Sequence, residues 1–163
     1  SLDITSKNFT ENSIRYTEIL RTLSALHKDL GDYKKALETE NQIFKTQVAV
    51  LGEGHIDLAA TLTRLAMLQL YSGNDIQMAE RHLLKAKGII ERNIGAQSPA
   101  YADQLMSMAN FYIEIKKYSI ADSCLQVSKS IWEQKVGNKH IKIAEIYFLK
   151  GSIAVLTDNH KTA

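Results

Sequence analysis

Proline is almost absent from this chain: Pro99 is the only one in 163 residues, and cysteine and tryptophan also occur once each. A lone cysteine, Cys124, excludes an internal disulfide framework and any cysteine-rich metal site, and it fits a reducing, cytoplasmic setting. No run approaches the roughly 18 apolar residues that a spanning helix needs, so membrane insertion is not expected. The first residues carry no basic-then-apolar leader pattern. Charge is close to balanced, with 20 Lys and Arg against 18 Asp and Glu, and no basic cluster stands out. Nucleic acid is therefore not an expected partner.

What is present points to helices. The chain is 45% hydrophobic and 23% charged, as folded globular proteins are, and its apolar residues recur at spacings of three and four. Ile14, Ile19, Leu20, Leu23, Leu26 and Leu30 form one such stripe, which ends at Gly31. Asp32 is placed to cap a second helix through Leu37, Ile43, Phe44 and Val48. Ser98 followed by Pro99 reads as an N-cap and first helical residue, and Gly52, Gly95 and Gly137 each follow a helical stripe as helix-ending glycines do.

The small residues are periodic. Ser24, Ala66, Ala109 and Gly151 follow one another at 42, 43 and 42 residues, while Ala36, Ala79, Ala121 and Ala163 follow at 43, 42 and 42. The offset places one extra residue between Ala66 and Ala79, in the turn Tyr71-Ser-Gly-Asn-Asp75, where an insertion is tolerated. Two antiparallel helices approach closely only where side chains are small, so these positions read as helix crossings. A period of this length with two helices per unit is the mark of a helical solenoid.

The residues resemble tetratricopeptide repeats, as Leu105, Met108, Ala109, Tyr112, Ala121 and Leu125 show in the third unit. The long period and the linkers Leu51-Gly-Glu-Gly-His55 and Val136-Gly-Asn-Lys-His140 are similar to the kinesin light chain variety, in which a proline follows the histidine. Ile56 and Ile141 replace that proline here, whereas Ser98-Pro99 keeps it. The resemblance implies an all-α fold, a right-handed α-solenoid of antiparallel helix pairs with about 3.5 repeats. Complete units are expected at 12–51, 55–94 and 98–136, with a partial fourth at 140–163 and residues 1–11 as the tail of a preceding helix or linker. The chain thus reads as a piece of a longer array, whose uncapped ends favour self-association.

No chemistry of catalysis emerges from the pattern. Gly52 and Gly54 are not followed by the Lys-Ser/Thr of a phosphate loop, and there is no His-Glu-x-x-His spacing. His55 and His140 are a whole repeat or more apart, too far to share a zinc ion with ligands about 2 Å away, so both read as helix-start residues. Cys124 lacks the basic surroundings of a nucleophile. The expectation is a non-enzyme with no cofactor and no metal.

Repeats of this kind imply a protein or peptide partner on the concave face, lined by the first helix of each unit. Counting from the small residue gives Arg21, Lys28, Thr63, Arg64, Met67, Met106, Asn110, Phe148 and Ser152 as contact candidates. They suggest a groove with a basic end (Arg21, Lys28, Arg64) and an apolar end (Met67, Met106, Phe148), suited to a helix or a mixed acidic–hydrophobic segment. Alanine at Arg21, Arg64, Met106, Asn110 or Phe148 is expected to weaken partner binding without lowering the melting temperature. The rival reading is a sensor segment that controls an attached kinase, DNA-binding or protease domain.

Overall fold

The computed structural model describes the backbone of residues 2–73 and 75–159, with side chains over the same spans except at 2–12, 14, 158 and 159. Ser1, the Ile14 side chain, Asn74 of the expected turn, and the expected second helix of unit four with Ala163 lie outside the described residues. Those residues form seven helices: α1 (Leu2–Asp29), α2 (Tyr33–Leu51), α3 (Asp57–Tyr71), α4 (Ile76–Asn93), α5 (Pro99–Glu114), α6 (Tyr118–Val136) and α7 (Ile141–Asn159). The chain divides into two compact units, Ser1–Ile89 and Ile90–Ala163.

In the first unit α1 and α2 form a helix hairpin, and α3 packs on α2. Where small residues were expected to meet, the Ser24 hydroxyl donates to the Ala36 carbonyl oxygen at 3.3 Å, so the two backbones touch at that point. Ala36, Ala66 and Ala79 are fully buried among Ile43, Leu58, Leu62, Leu65 and Leu83. The second unit repeats the plan. Helices α5 and α6 pair, α7 packs on α6, and Ala109 and Ala121 are buried beside Phe111, Leu125 and Ile131. The Ser128 hydroxyl donates to the Ala102 carbonyl oxygen at 2.9 Å, a second close approach of helix backbones.

On α7, Gly151, Tyr147, Phe148 and Val155 are exposed, and Ala163, the residue expected to meet Gly151 at a fourth crossing, lies outside the described residues. One expectation needs correcting. The stripe on α1 is split: Leu20 is buried, but Ile19, Leu23, Leu26 and Leu30 are exposed because α2 packs against a different side of the helix. Helix α1 itself runs unbroken from Leu2 to Asp29.

The turns carry the repeat in their backbone angles. Gly31, Gly73 and Lys116 occupy equivalent places between paired helices, and all three have positive φ, at 76°, 69° and 61°. Around Lys116 the bonds from Lys117 N–H to Tyr112 O (2.8 Å) and from Lys116 N–H to Ile113 O (3.0 Å) close the helix in the left-handed manner typical of glycine. A lysine there bears a steric cost that glycine avoids. Lys116→Gly is expected to stabilise the second unit by about 1 kcal/mol, read as a raised urea midpoint. An unchanged midpoint would show that the lysine is accommodated without strain.

Candidate partner-binding surface

The histidines settle first, because they looked most like chemistry. His55 Nδ1 accepts the Asp57 N–H at 3.3 Å, and His140 Nδ1 accepts the Lys142 N–H at 3.3 Å. At the equivalent place before α5, Ser98 Oγ accepts the Tyr101 N–H at 3.2 Å. All three side chains satisfy an otherwise orphaned donor at the first turn of a helix. His140 also stacks on Trp132, with ring centroids 5.4 Å apart and planes within 9°. Among the described residues no three His, Cys, Asp or Glu side chains gather as metal ligands would. None of the described helices is long and apolar enough to cross a membrane.

The first unit brings five of the candidates to one place. Arg21 and Lys28 on α1 and Thr63, Arg64 and Met67 on α3 line a cleft of about 320 Å³, together with Tyr71 and Glu40. Their spacing explains it: Arg21 and Lys28 are seven residues apart, and Met67 follows Thr63 and Arg64 by four and three, so each set shares one side of its helix, and both sides flank the cleft. Arg21 and Lys28 are exposed cations, and Lys28 reaches its neighbour Asp29 at 3.5 Å. Thr63 is half-buried and donates to the Ala59 carbonyl oxygen at 2.9 Å.

Arg64 is held differently, through a residue that the sequence reading missed. Its Nε donates to Glu40 Oε1 at 2.9 Å, and one terminal nitrogen donates to Thr61 Oγ1 at 3.0 Å. Thr61 in turn donates to Gln47 Oε1 at 2.7 Å. Glu40 is completely buried, and its second oxygen, Oε2, has no hydrogen-bond partner among the described residues. The repeat offers a signal for it: the positions equivalent to Glu40 in the next two second helices are Leu83 and Leu125, both fully buried. An acid in a leucine position calls for a cation beside it, and the half-buried Arg64 supplies it.

This pairing alters what Arg64 can report. As a strut to a buried carboxylate, it is not a surface cation that alanine can replace silently, contrary to the sequence-based expectation of an unchanged melting temperature. Arg21 and Arg64 also line a second hollow of about 340 Å³, bordered by Glu18, Gln47 and Asp57.

The second unit gathers three more candidates. Met106 and Asn110 on α5 and Phe148 on α7 line a shallow hollow of about 410 Å³ with Glu145 and Leu149. Met106 is nearly buried, whereas Phe148 is 74% exposed and is the most solvent-facing aromatic ring of the described residues. Ser152 stands apart from the hollow's lining, and its hydroxyl donates to the Phe148 carbonyl oxygen at 3.1 Å. The acids nearby are occupied: Lys142 reaches Glu145 at 2.9 Å and Asp103 at 3.5 Å. Its ammonium is held above the ordinary lysine range, first by the Glu145 hydrogen bond. Two further ties, Lys150 to Asp122 at 2.9 Å and Lys129 over the Tyr147 ring at 5.0 Å, fasten α7 to α6.

No protein-family model matches the chain, and no curated protein does. Among solved structures it is similar to BtubC (BKLC) from P. vanneervenii, with a TM-score of 0.66 and 20% identity. The match covers 85% of this chain and 57% of that protein, so the chain spans less than two thirds of the neighbour's length. At that identity the likeness speaks for the fold alone. The chain is an all-helical repeat protein with an α-solenoid fold.

Proposed function

We propose that this chain is a protein–protein interaction scaffold built from tetratricopeptide-type repeats of the long, kinesin light chain-like kind, at 12–51, 55–94, 98–136 and 140–163. The observation that supports it most is the cleft of the first unit, where Arg21, Lys28, Thr63, Arg64 and Met67 converge around about 320 Å³. Two exposed cations in a lining shared with Met67 and Tyr71 suit a short segment that carries acidic and aliphatic side chains in alternation. Phe148 and Asn110 offer the second unit an apolar anchor and an amide for a contact of its own.

The test is selection of peptides from a displayed library against the intact chain. Acidic–aliphatic sequences are expected to be enriched, and to lose about tenfold or more in affinity on Arg21→Glu with Lys28→Glu. Arg64 is left unaltered because of its structural bond to Glu40. Selected peptides that bind the double variant as tightly as the parent would sink the assignment of this cleft.

A further inference from the structure

The exposed stripe on α1 becomes informative when the repeat is laid over itself. Tyr16, Ile19, Leu23 and Leu26 occupy the places of Leu58, Thr61, Leu65 and Leu68 on α3 and of Ile143, Ile146, Lys150 and Ile153 on α7. On α3 all four are buried, and on α7 the three isoleucines are buried. Helix α3 turns this face to α2, and α7 packs on α6. On α1 the same face is open, with Ile19 68% and Leu30 72% exposed. An apolar stripe of this length on one helix marks a contact surface.

Two observations narrow what covers it. The first is continuity. In the later units a connection at Gly52–Ile56 or at Gly137–His140 lets the preceding helix turn back onto this face, and each begins with a glycine at positive φ. The equivalent residues, 10–14, lie inside α1, so the residues just before the stripe prolong the helix axis instead of folding over it. The second is spacing. Tyr16, Ile19, Leu23, Leu26 and Leu30 recur at alternating intervals of three and four, which also suits the seam of a two-stranded coiled coil.

We infer that α1 packs antiparallel along this seam against α1 of a second copy of the chain. The register follows from the residues. Pairing Ile19 with Leu23 of the second copy, and Tyr16 with Leu26 of the second copy, fills four apolar layers about a two-fold axis near Leu20 to Thr22. That register sets Arg15 beside Asp29 of the second copy, twice by symmetry, and places the two Thr22 residues face to face. Arg15 and Asp29 are both exposed, and among the described residues Asp29 is paired with its neighbour Lys28 at 3.5 Å. The contact is isologous and closed, so it yields a dimer and not a filament. It is independent of the partner-binding cleft proposed above.

Sedimentation equilibrium of the intact chain tests this, with circular dichroism as a check on folding. A dimer is expected, and Leu26→Asp should weaken it by about thirtyfold or more. That residue is exposed in the single chain, so its replacement leaves the fold intact. Arg15→Asp alone and Asp29→Arg alone should each weaken the dimer, and the two together should restore it. In a Cys124→Ser background, Thr22→Cys should form a disulfide-linked dimer under mild oxidation. A chain that stays monomeric overturns the inference. So does a dimer that is indifferent to Leu26→Asp, which would locate self-association on the exposed residues of α7, and so does a charge swap that fails to restore pairing.

Discussion

Replacing Arg64 by alanine is expected to lower the unfolding free energy by about 3 kcal/mol, although its side chain is 35% exposed. The reason lies in Glu40. Its Oε1 is bonded to Arg64 at 2.9 Å, its Oε2 is bonded to nothing among the described residues, and the side chain has no exposed surface. Removing the guanidinium leaves a carboxylate in the core with no counter-charge. Glu40→Leu should behave oppositely, because it installs the residue that Leu83 and Leu125 already provide at equivalent sites. It should cost less than about 1 kcal/mol, since the freed arginine can turn to solvent. The double variant Glu40→Leu with Arg64→Ala should then be more stable than Arg64→Ala alone, a non-additivity read directly from urea unfolding curves. If Arg64→Ala shifts the midpoint no more than a typical surface change, the ion pair contributes little and Arg64 reverts to a plain contact residue.

A second large effect compares two leucines that the repeat makes equivalent. Leu65→Ala is expected to cost about 3 kcal/mol, because Leu65 is wholly buried. Leu23→Ala, one repeat earlier, should change the stability of the single chain by no more than about 0.5 kcal/mol, since the Leu23 side chain is 40% exposed. Both are measured at low protein concentration, so that pairing of α1 does not contribute. Equal losses at the two sites would mean that the α1 stripe is covered within one chain, and would contradict the open face described above.

The repeat was the most legible part of the sequence. Its small residues, capping groups and glycines are set by local sterics, so Ser24 against Ala36, Asp32 before α2 and Ser98 before α5 could be read without coordinates. Asp32 accepts the Lys35 N–H at 3.1 Å, as its position before a helical stripe implied. Lys116 was illegible for the complementary reason. Nothing about a lysine announces positive φ, and only comparison with Gly31 and Gly73 reveals it. The α1 stripe shows a deeper limit. Apolar spacing identifies which residues share a face but not whether another helix is there to cover it, so Leu20 and Ile19 look alike in the sequence and differ in exposure. The candidate site was legible to the extent that helical register fixes neighbours. Arg21, Lys28, Thr63, Arg64 and Met67 meet in one cleft, but the buried acid that holds Arg64 comes from α2, outside the first-helix pattern.

The histidines at the repeat joints carry a consequence for where protons sit. A ring nitrogen that accepts a backbone N–H must offer its lone pair, so in neutral His55 and His140 the Nδ1 is bare and the proton resides on Nε2. The backbone thereby selects one tautomer of two at the head of α3 and again at the head of α7. At the head of α5 the serine hydroxyl of Ser98 accepts by simple rotation and imposes no such choice. Successive joints with the same geometry therefore differ in their chemistry: two are closed by an aromatic ring nitrogen of fixed tautomer, and the one between them by a hydroxyl free to rotate.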